Sequence, residues 1–288
     1  MSFLAISGLV NFLTCCILGI FVLAKNFRNI RNISYFILNS SVAIYSFGYF
    51  FWQLAKNDSI ALIWFRIAVF GIILINISYL FFVFVFVDLL EKRKHLLWLC
   101  LFINLIFISL NFSGYLYTKL IPKYNLGLWP VPTFFFHIYL IFWFWQCLYG
   151  FYWLLKALKS FTGIRREQIK YFTISAVIGF FGGATNWPMW YGIHLPPYFN
   201  ILISLYTGIV AYAILKYRLM DIQVAITRAG VFIVVYTLIL GLPFAMAIWA
   251  KAWLVGRFGA DGWMLPFGAL AVLATGGPCI YLYIERRA

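Results

Sequence analysis

The sequence predicts an all-α polytopic membrane protein, a seven-helix bundle followed by a C-terminal two-helix hairpin. Three observations carry this prediction. Of the 288 residues, 65% are hydrophobic and 10% charged, against about 45–50% and about 25% in an ordinary soluble domain, and the mean hydropathy is +0.95. The apolar residues gather into long stretches separated by short basic runs. Within a stretch such as Leu80 to Val87 every residue is apolar, with none of the two-residue alternation of a barrel strand.

A helix rises ~1.5 Å per residue, so ~20 apolar residues cross a ~30 Å hydrocarbon layer. Nine stretches meet or approach that length: Leu4 to Ala24, Ile33 to Leu54, Ile60 to Leu89, Leu96 to Tyr115, Phe134 to Leu155, Tyr171 to Trp190, Phe199 to Leu215, Gly230 to Ala250 and Trp263 to Ile284. No Lys or Arg precedes the first, so it is expected to stay in the mature protein and not to be cleaved as a signal peptide. The first seven spans, residues 1–222, form the bundle. Residues 223–288 supply a linker and the hairpin of spans eight and nine. Leu219, Ile222 and Ile226 recur at spacings of three and four, which lets the linker lie along the membrane surface.

The formal net charge is +15, which in a soluble chain would suggest nucleic acid as a partner. Here the basic residues punctuate spans and form no aromatic-lined groove, so nucleic acid is excluded and topology accounts for the charge. With the amino terminus outside, the inward segments hold sixteen Lys and Arg residues. The outward loops hold five, Lys56, Lys119, Lys123, Lys251 and Arg257. The positive-inside rule therefore sets the amino terminus out and the carboxy terminus in the cytoplasm. The connections are short, so neither a folded extracellular domain nor a cytoplasmic catalytic domain is expected, and the chain is not by itself an enzyme.

Five cysteines, Cys15, Cys16, Cys100, Cys147 and Cys279, sit in apolar stretches without CxxC spacing and read as buried thiols. His137 and His194 lack acidic or thiol companions at their depth, so no metal site and no cofactor is expected. Asp88 and Glu91 beside Lys92, Arg93 and Lys94 read as a solvated ion cluster.

A charge at membrane depth costs ~2.5–3.5 kcal/mol on insertion scales and needs a reason. Arg66 lies six residues inside its span, roughly 9 Å deep. Its stem permits snorkelling to the headgroups; alternatively it faces the bundle and binds an anionic or carbonyl-bearing ligand. Gln53, His137, Asn186, Trp187 and Trp190 fall at the same level. An aromatic belt explains the tryptophans singly but not the amides and the imidazole. Together with Arg66 they form the candidate lining of a ligand pocket open to the outside. In Gly182-Gly183-Ala184-Thr185-Asn186-Trp187-Pro188 the glycines permit close packing and the proline disturbs the helix end beside that pocket.

That segment, with Asn200 and then Tyr212-Ala213-Ile214-Leu215-Lys216-Tyr217-Arg218-Leu219-Met220-Asp221-Ile222, resembles the seven-helix amino-terminal membrane region of bacterial sensor histidine kinases. The resemblance implies a signal-input module in the bacterial cytoplasmic membrane that receives a small ligand from the outer face. It also implies a cytoplasmic kinase or transmitter domain as partner, in cis or in trans, lipid contact, and a homodimer. The chain departs from such kinases after Ile284, where it carries neither a phosphoacceptor helix nor a nucleotide-binding domain, so it is expected to be a sensor without its transmitter. The alternative is a small-solute transporter or a lipid-handling membrane protein.

Overall fold

A computed structural model describes residues 2–124 and 126–217. The chain divides into two units, Met1–Ile222 and Gln223–Ala288, and the described residues belong to the first. The two expected hairpin spans and the surface linker lie outside the described residues.

Among the described residues there are seven long helices: α1 (Phe3–Lys25), α2 (Ile30–Leu54), α3 (Asp58–Phe86), α4 (Leu90–Phe112), α5 (Phe134–Ser160), α6 (Gly163–Ala184) and α8 (Leu202–Tyr217). A single-turn helix, α7 (Trp187–Trp190), and a 3-10 turn (Tyr198–Ile201) fill the connection from α6 to α8. Between α4 and α5 stands an antiparallel hairpin of β1 (Tyr117–Pro122) and β2 (Leu128–Pro132). Composition assigned that stretch to an outer loop and did not predict the hairpin.

The helix starts follow from side-chain oxygens that accept otherwise unpaired backbone N–H groups. Ser2 caps α1 through Ala5 N, Asn29 caps α2 through Arg31 N, and Asn57 caps α3 through Ser59 N and Ile60 N. The basic runs are helical: Lys92 to Lys94 belong to the first turns of α4, and Arg165 to Lys170 to those of α6. Hydropathy marks the part of a helix that lies in hydrocarbon, and these helices continue past it into the polar boundary. The expected sixth span ended at Trp190; α6 stops at Ala184, and Pro188 falls within α7. Proline fits the first turn of a helix because no intrahelical partner exists there for the donor it lacks.

By length and composition, α1, α3, α4 and α5 suffice to cross a membrane. Helix α2 is more polar because its Asn32, Ser34, Asn39, Ser41 and Ser46 are all buried. It lies against α1 and α3 along its length, while α8 packs on α6 and α1, and α5 on α3 and α6. A helix wrapped in this way need not be apolar on every face. Its amides and hydroxyls turn back to carbonyls, as in Asn32 Nδ2 to Val22 O (3.2 Å), Asn39 Nδ2 to Tyr35 O (2.9 Å) and Ser41 Oγ to Ile37 O (2.9 Å).

The α2–α3 contact is backbone to backbone. A Cβ on Gly71 would lie 2.3 Å from Tyr45 N, and one on Gly48 would lie 2.5 Å from Ala68 N. Without a strong hydrophobic drive between helices in lipid, such close approach supplies the attraction through dispersion. Cys15, Cys100 and Cys147 are buried free thiols, and Cys16 is free and half-buried.

At the end of the bundle away from the hairpin, Asp88 closes α3 with a left-handed backbone (φ 58°). Its carboxylate lies 3.2 Å from Arg31 and 3.6 Å from Arg165, joining the ends of α2, α3 and α6. Those partners replace the neighbouring basic cluster that the sequence suggested, while Glu91 pairs with Lys94 at 3.5 Å. Asp88 is 60% exposed, so water screens the attraction and each pair contributes at most ~1 kcal/mol.

Gly71→Ala should force α2 and α3 apart and lower the thermal unfolding temperature in detergent, by about 3 kcal/mol or more in stability. Gly183→Ala should raise it slightly, because its Cβ would meet nothing within 4 Å and alanine favours a helix by ~1 kcal/mol over glycine. Equal effects from the two substitutions would refute the close-packed interface.

Candidate functional site

A narrow cavity of about 80 Å³ runs inside the bundle between α2, α3 and α6. Its wall on α2 is Leu38, Val42, Tyr45, Tyr49 and Trp52, and on α3 Phe65, Ala68, Ile72, Ile75 and Tyr79. Both sets alternate spacings of four and three, which keeps them on one face of each helix. Asn186, Trp187 and Trp190 close one end together with Trp143 of α5.

The hairpin lies over that end. Trp52 Nε1 donates to Leu128 O at 2.8 Å, and its ring meets Trp129 edge-on at 5.0 Å. Phe65 contacts Tyr117 at 4.7 Å and Trp190 at 5.3 Å, and Phe136 stacks on Trp190 at 4.2 Å. Lys123, between the strands, donates to Trp190 O (2.8 Å), Met189 O (2.9 Å) and Pro130 O (3.1 Å). Hydrogen bonds to carbonyls at the end of α7 offset the cost of taking this ammonium partly out of water. Partial burial holds this ammonium below the ordinary lysine value. Tyr124 adds a hydroxyl bond to Gly192 O and stacks on His194 at 4.3 Å.

Beneath this cover a buried amide network joins four segments of chain. Asn200 Nδ2 donates to Ser7 Oγ (3.1 Å), and Asn11 Nδ2 donates to Asn200 O (2.9 Å). Tyr45 Oη donates to Asn200 Oδ1 (2.8 Å). Asn186 Nδ2 faces three acceptors, Gly183 O (3.0 Å), Tyr45 Oη (3.2 Å) and Asn200 Oδ1 (3.2 Å). With acceptors on that side, the amide orientation is fixed and Asn186 Oδ1 is left buried with no protein partner.

Of the six residues singled out from the sequence, the structure brings Asn186, Trp187 and Trp190 together on the cavity wall and separates Gln53, Arg66 and His137 from it. Trp52 and Phe65 line the cavity, and the next residue on a helix is turned by about 100°. Gln53 therefore sits beside the Gly127 turn of the hairpin. The Arg66 guanidinium lies by Gly114, which ends α4 with φ 81°, and by Tyr117. Burial raises the Tyr117 hydroxyl above its ordinary value, and that guanidinium opposes the rise. His137 is exposed and shares a 2.7 Å hydrogen bond with Tyr191. Among the described residues no three His, Cys, Asp or Glu side chains converge as a metal would require. The sequence reading missed Tyr45, Tyr49, Ser7 and Asn11, which resemble ordinary span residues until the helix faces are known.

A family model described as the N-terminal 7TM region of histidine kinase matches residues 8–223. The chain belongs to this family. No curated protein and no solved structure matches it. The cavity, the hairpin and all of the amide network but Ser7 fall within the matched histidine-kinase 7TM region, as do the membrane-crossing helices apart from the first turn of α1.

Lys123→Met removes three donors from the hairpin contact. Hydrogen exchange of β1 and β2 amides should accelerate at least about 5-fold while the helices keep their protection. In the wild type the docked lysine binds its proton less firmly than a solvated one, so hairpin protection should rise with pH through the window just below the ordinary lysine value. Unchanged strand exchange in the variant would show that Lys123 does not hold the hairpin.

Proposed function

We propose that this 7TM region is the signal-input module of a histidine kinase and that the internal cavity is where the stimulus acts. The observation that carries the reading is the cavity itself, lined by α2, α3, α5, α6 and α8 and covered by a docked hairpin beside a network spanning α1, α2, the α6 end and the turn before α8. A small molecule arriving from the outer face would shift the balance between two packings of these helices, and only through unequal affinity for them. The output partner is a cytoplasmic kinase or transmitter domain, in cis or in trans, and the working unit is a homodimer. The sixteen-to-five distribution of Lys and Arg supports an amino terminus outside and a carboxy terminus in the cytoplasm of a bacterial inner membrane.

The experiment compares basal autophosphorylation of a histidine-kinase core fused in frame behind this region. Asn186→Ala, which loosens the cavity wall and the network, should move it by about 5-fold or more, the size of a coupling energy of ~1 kcal/mol. Arg66→Ala, outside the cavity, should leave it within about 2-fold, and both should insert normally. An unaltered rate in Asn186→Ala, or a large shift in Arg66→Ala alone, would refute the cavity as the input site.

A further inference from the structure

The end of the bundle away from the hairpin carries more cations than its carboxylates engage. Among the described residues there, Asp88 is taken by Arg31 and Arg165, Glu91 by Lys94, and Glu167 by Lys170 at 3.6 Å. Arg93, in the first turns of α4, and Lys156, in the last turns of α5, form none of these ion pairs. The two nevertheless converge. The Arg93 guanidinium lies 5.3 Å and the Lys156 ammonium 4.9 Å from the centroid of one ring, that of Trp153.

An indole attracts either cation, but like charges gathered at one ring repel each other, and more strongly where lipid of low dielectric lies alongside. An anion shared by both removes the repulsion. Helices α4 and α5 are each long and apolar enough to cross a membrane, and these cations stand in their terminal turns, at the level where phospholipid headgroups begin. The planar guanidinium matches phosphate oxygens with paired N–H groups, and the ammonium adds a point charge. The adjoining surface of α5 is apolar and flat. Phe142, Trp145, Tyr149 and Tyr152 follow at spacings of three, four and three, which keeps them on one face, and their rings stack at 5.8, 5.4 and 6.5 Å. Four residues beyond Tyr152 that face ends at Lys156. A soluble anion leaves this ladder of rings uncovered, whereas an anion that carries an acyl chain covers it.

We propose that Arg93 and Lys156, gathered over Trp153, bind the phosphate of an anionic phospholipid whose acyl chain lies along Trp145, Tyr149 and Tyr152. The site is separate from the cavity, and its occupancy is independent of the input-site reading.

Native mass spectrometry of the full chain in detergent reads binding as single-lipid adducts. Dioleoyl phosphatidylglycerol is the anionic probe, and dioleoyl phosphatidylcholine, whose own ammonium neutralises its phosphate, is the zwitterionic one. The first phosphatidylglycerol should bind at least about 10-fold more tightly than phosphatidylcholine, and the preference should shrink as salt is raised. Arg93→Gln combined with Lys156→Gln should weaken phosphatidylglycerol by at least about 10-fold, and each substitution alone by about 3-fold or more, while phosphatidylcholine stays within about 2-fold. Lys25→Gln combined with Arg28→Gln removes the same charge from cations that lie over separate rings, Phe21 at 6.0 Å and Phe27 at 5.7 Å, and should leave phosphatidylglycerol binding within about 2-fold. All four side chains are exposed, so both double variants should unfold at the wild-type temperature in phosphatidylcholine nanodiscs. Glycerol 3-phosphate has the charge without the chains and separates a lipid from a soluble anion; at equal concentration it should displace no phosphatidylglycerol. Displacement by it, no preference for phosphatidylglycerol, or equal weakening in the two double variants would overturn the proposal. Undiminished phosphatidylglycerol binding after loss of Arg93 and Lys156 would overturn it as well and leave these cations to an acidic protein surface.

Discussion

The bundle depends on keeping the polar face of α2 away from lipid. Hydrocarbon offers no partner for an amide or hydroxyl, so a helix carrying Asn32, Ser34, Asn39, Ser41 and Ser46 is stable only when its neighbours enclose it. Some of these groups return to carbonyls of their own helix, but the shielding comes from α1 and α3. Glycine at the crossing lets α3 approach until backbones touch. Once α2 is central, its aromatic positions Tyr45, Tyr49 and Trp52 face α6 and the cavity between them. Polarity thus determines which helix sits in the middle, and that placement determines which side chains line the cavity.

This order of causes explains what could be read from the residues alone. Span number through the seventh, and most starts and ends, follow from where apolar runs give way to Asn, Lys and Arg, because the membrane imposes one dominant period on composition. The hairpin escaped because six residues of strand between two spans are too few for such an average. Its traces are local: β-branched Thr118, Ile121 and Val131, with Gly127 at the turn. The basic runs gave orientation but not helix length, since a helix does not stop where hydrocarbon does.

The site was legible in part for a related reason. Depth along a span can be counted, whereas the face of a helix that is apolar all round cannot be read from its pattern. Gln53, Arg66 and His137 were chosen because they are polar at the right depth, yet each immediately follows the aromatic residue, Trp52, Phe65 or Phe136, that turns toward the interior aromatic cluster. Asn186 and the two tryptophans after it came through because the chain is irregular there and neighbouring side chains stay together. The cavity that these residues line was not contained in composition, because it depends on which faces of α2, α3 and α6 meet.

The two ends of the bundle are held by unlike forces. Near the hairpin, α6 is tied by amides shielded from water, whose separation would strand several buried groups together. At the other end the exposed Asp88 meets Arg31 and Arg165, and Arg165 also donates to Phe86 O and lies over the Phe86 and Phe161 rings, so water screens the ion pairs but not the packing beneath them. The two ends therefore answer differently to ionic strength: salt weakens the pairs at Asp88 and leaves the amides around Asn186 and Asn200 untouched.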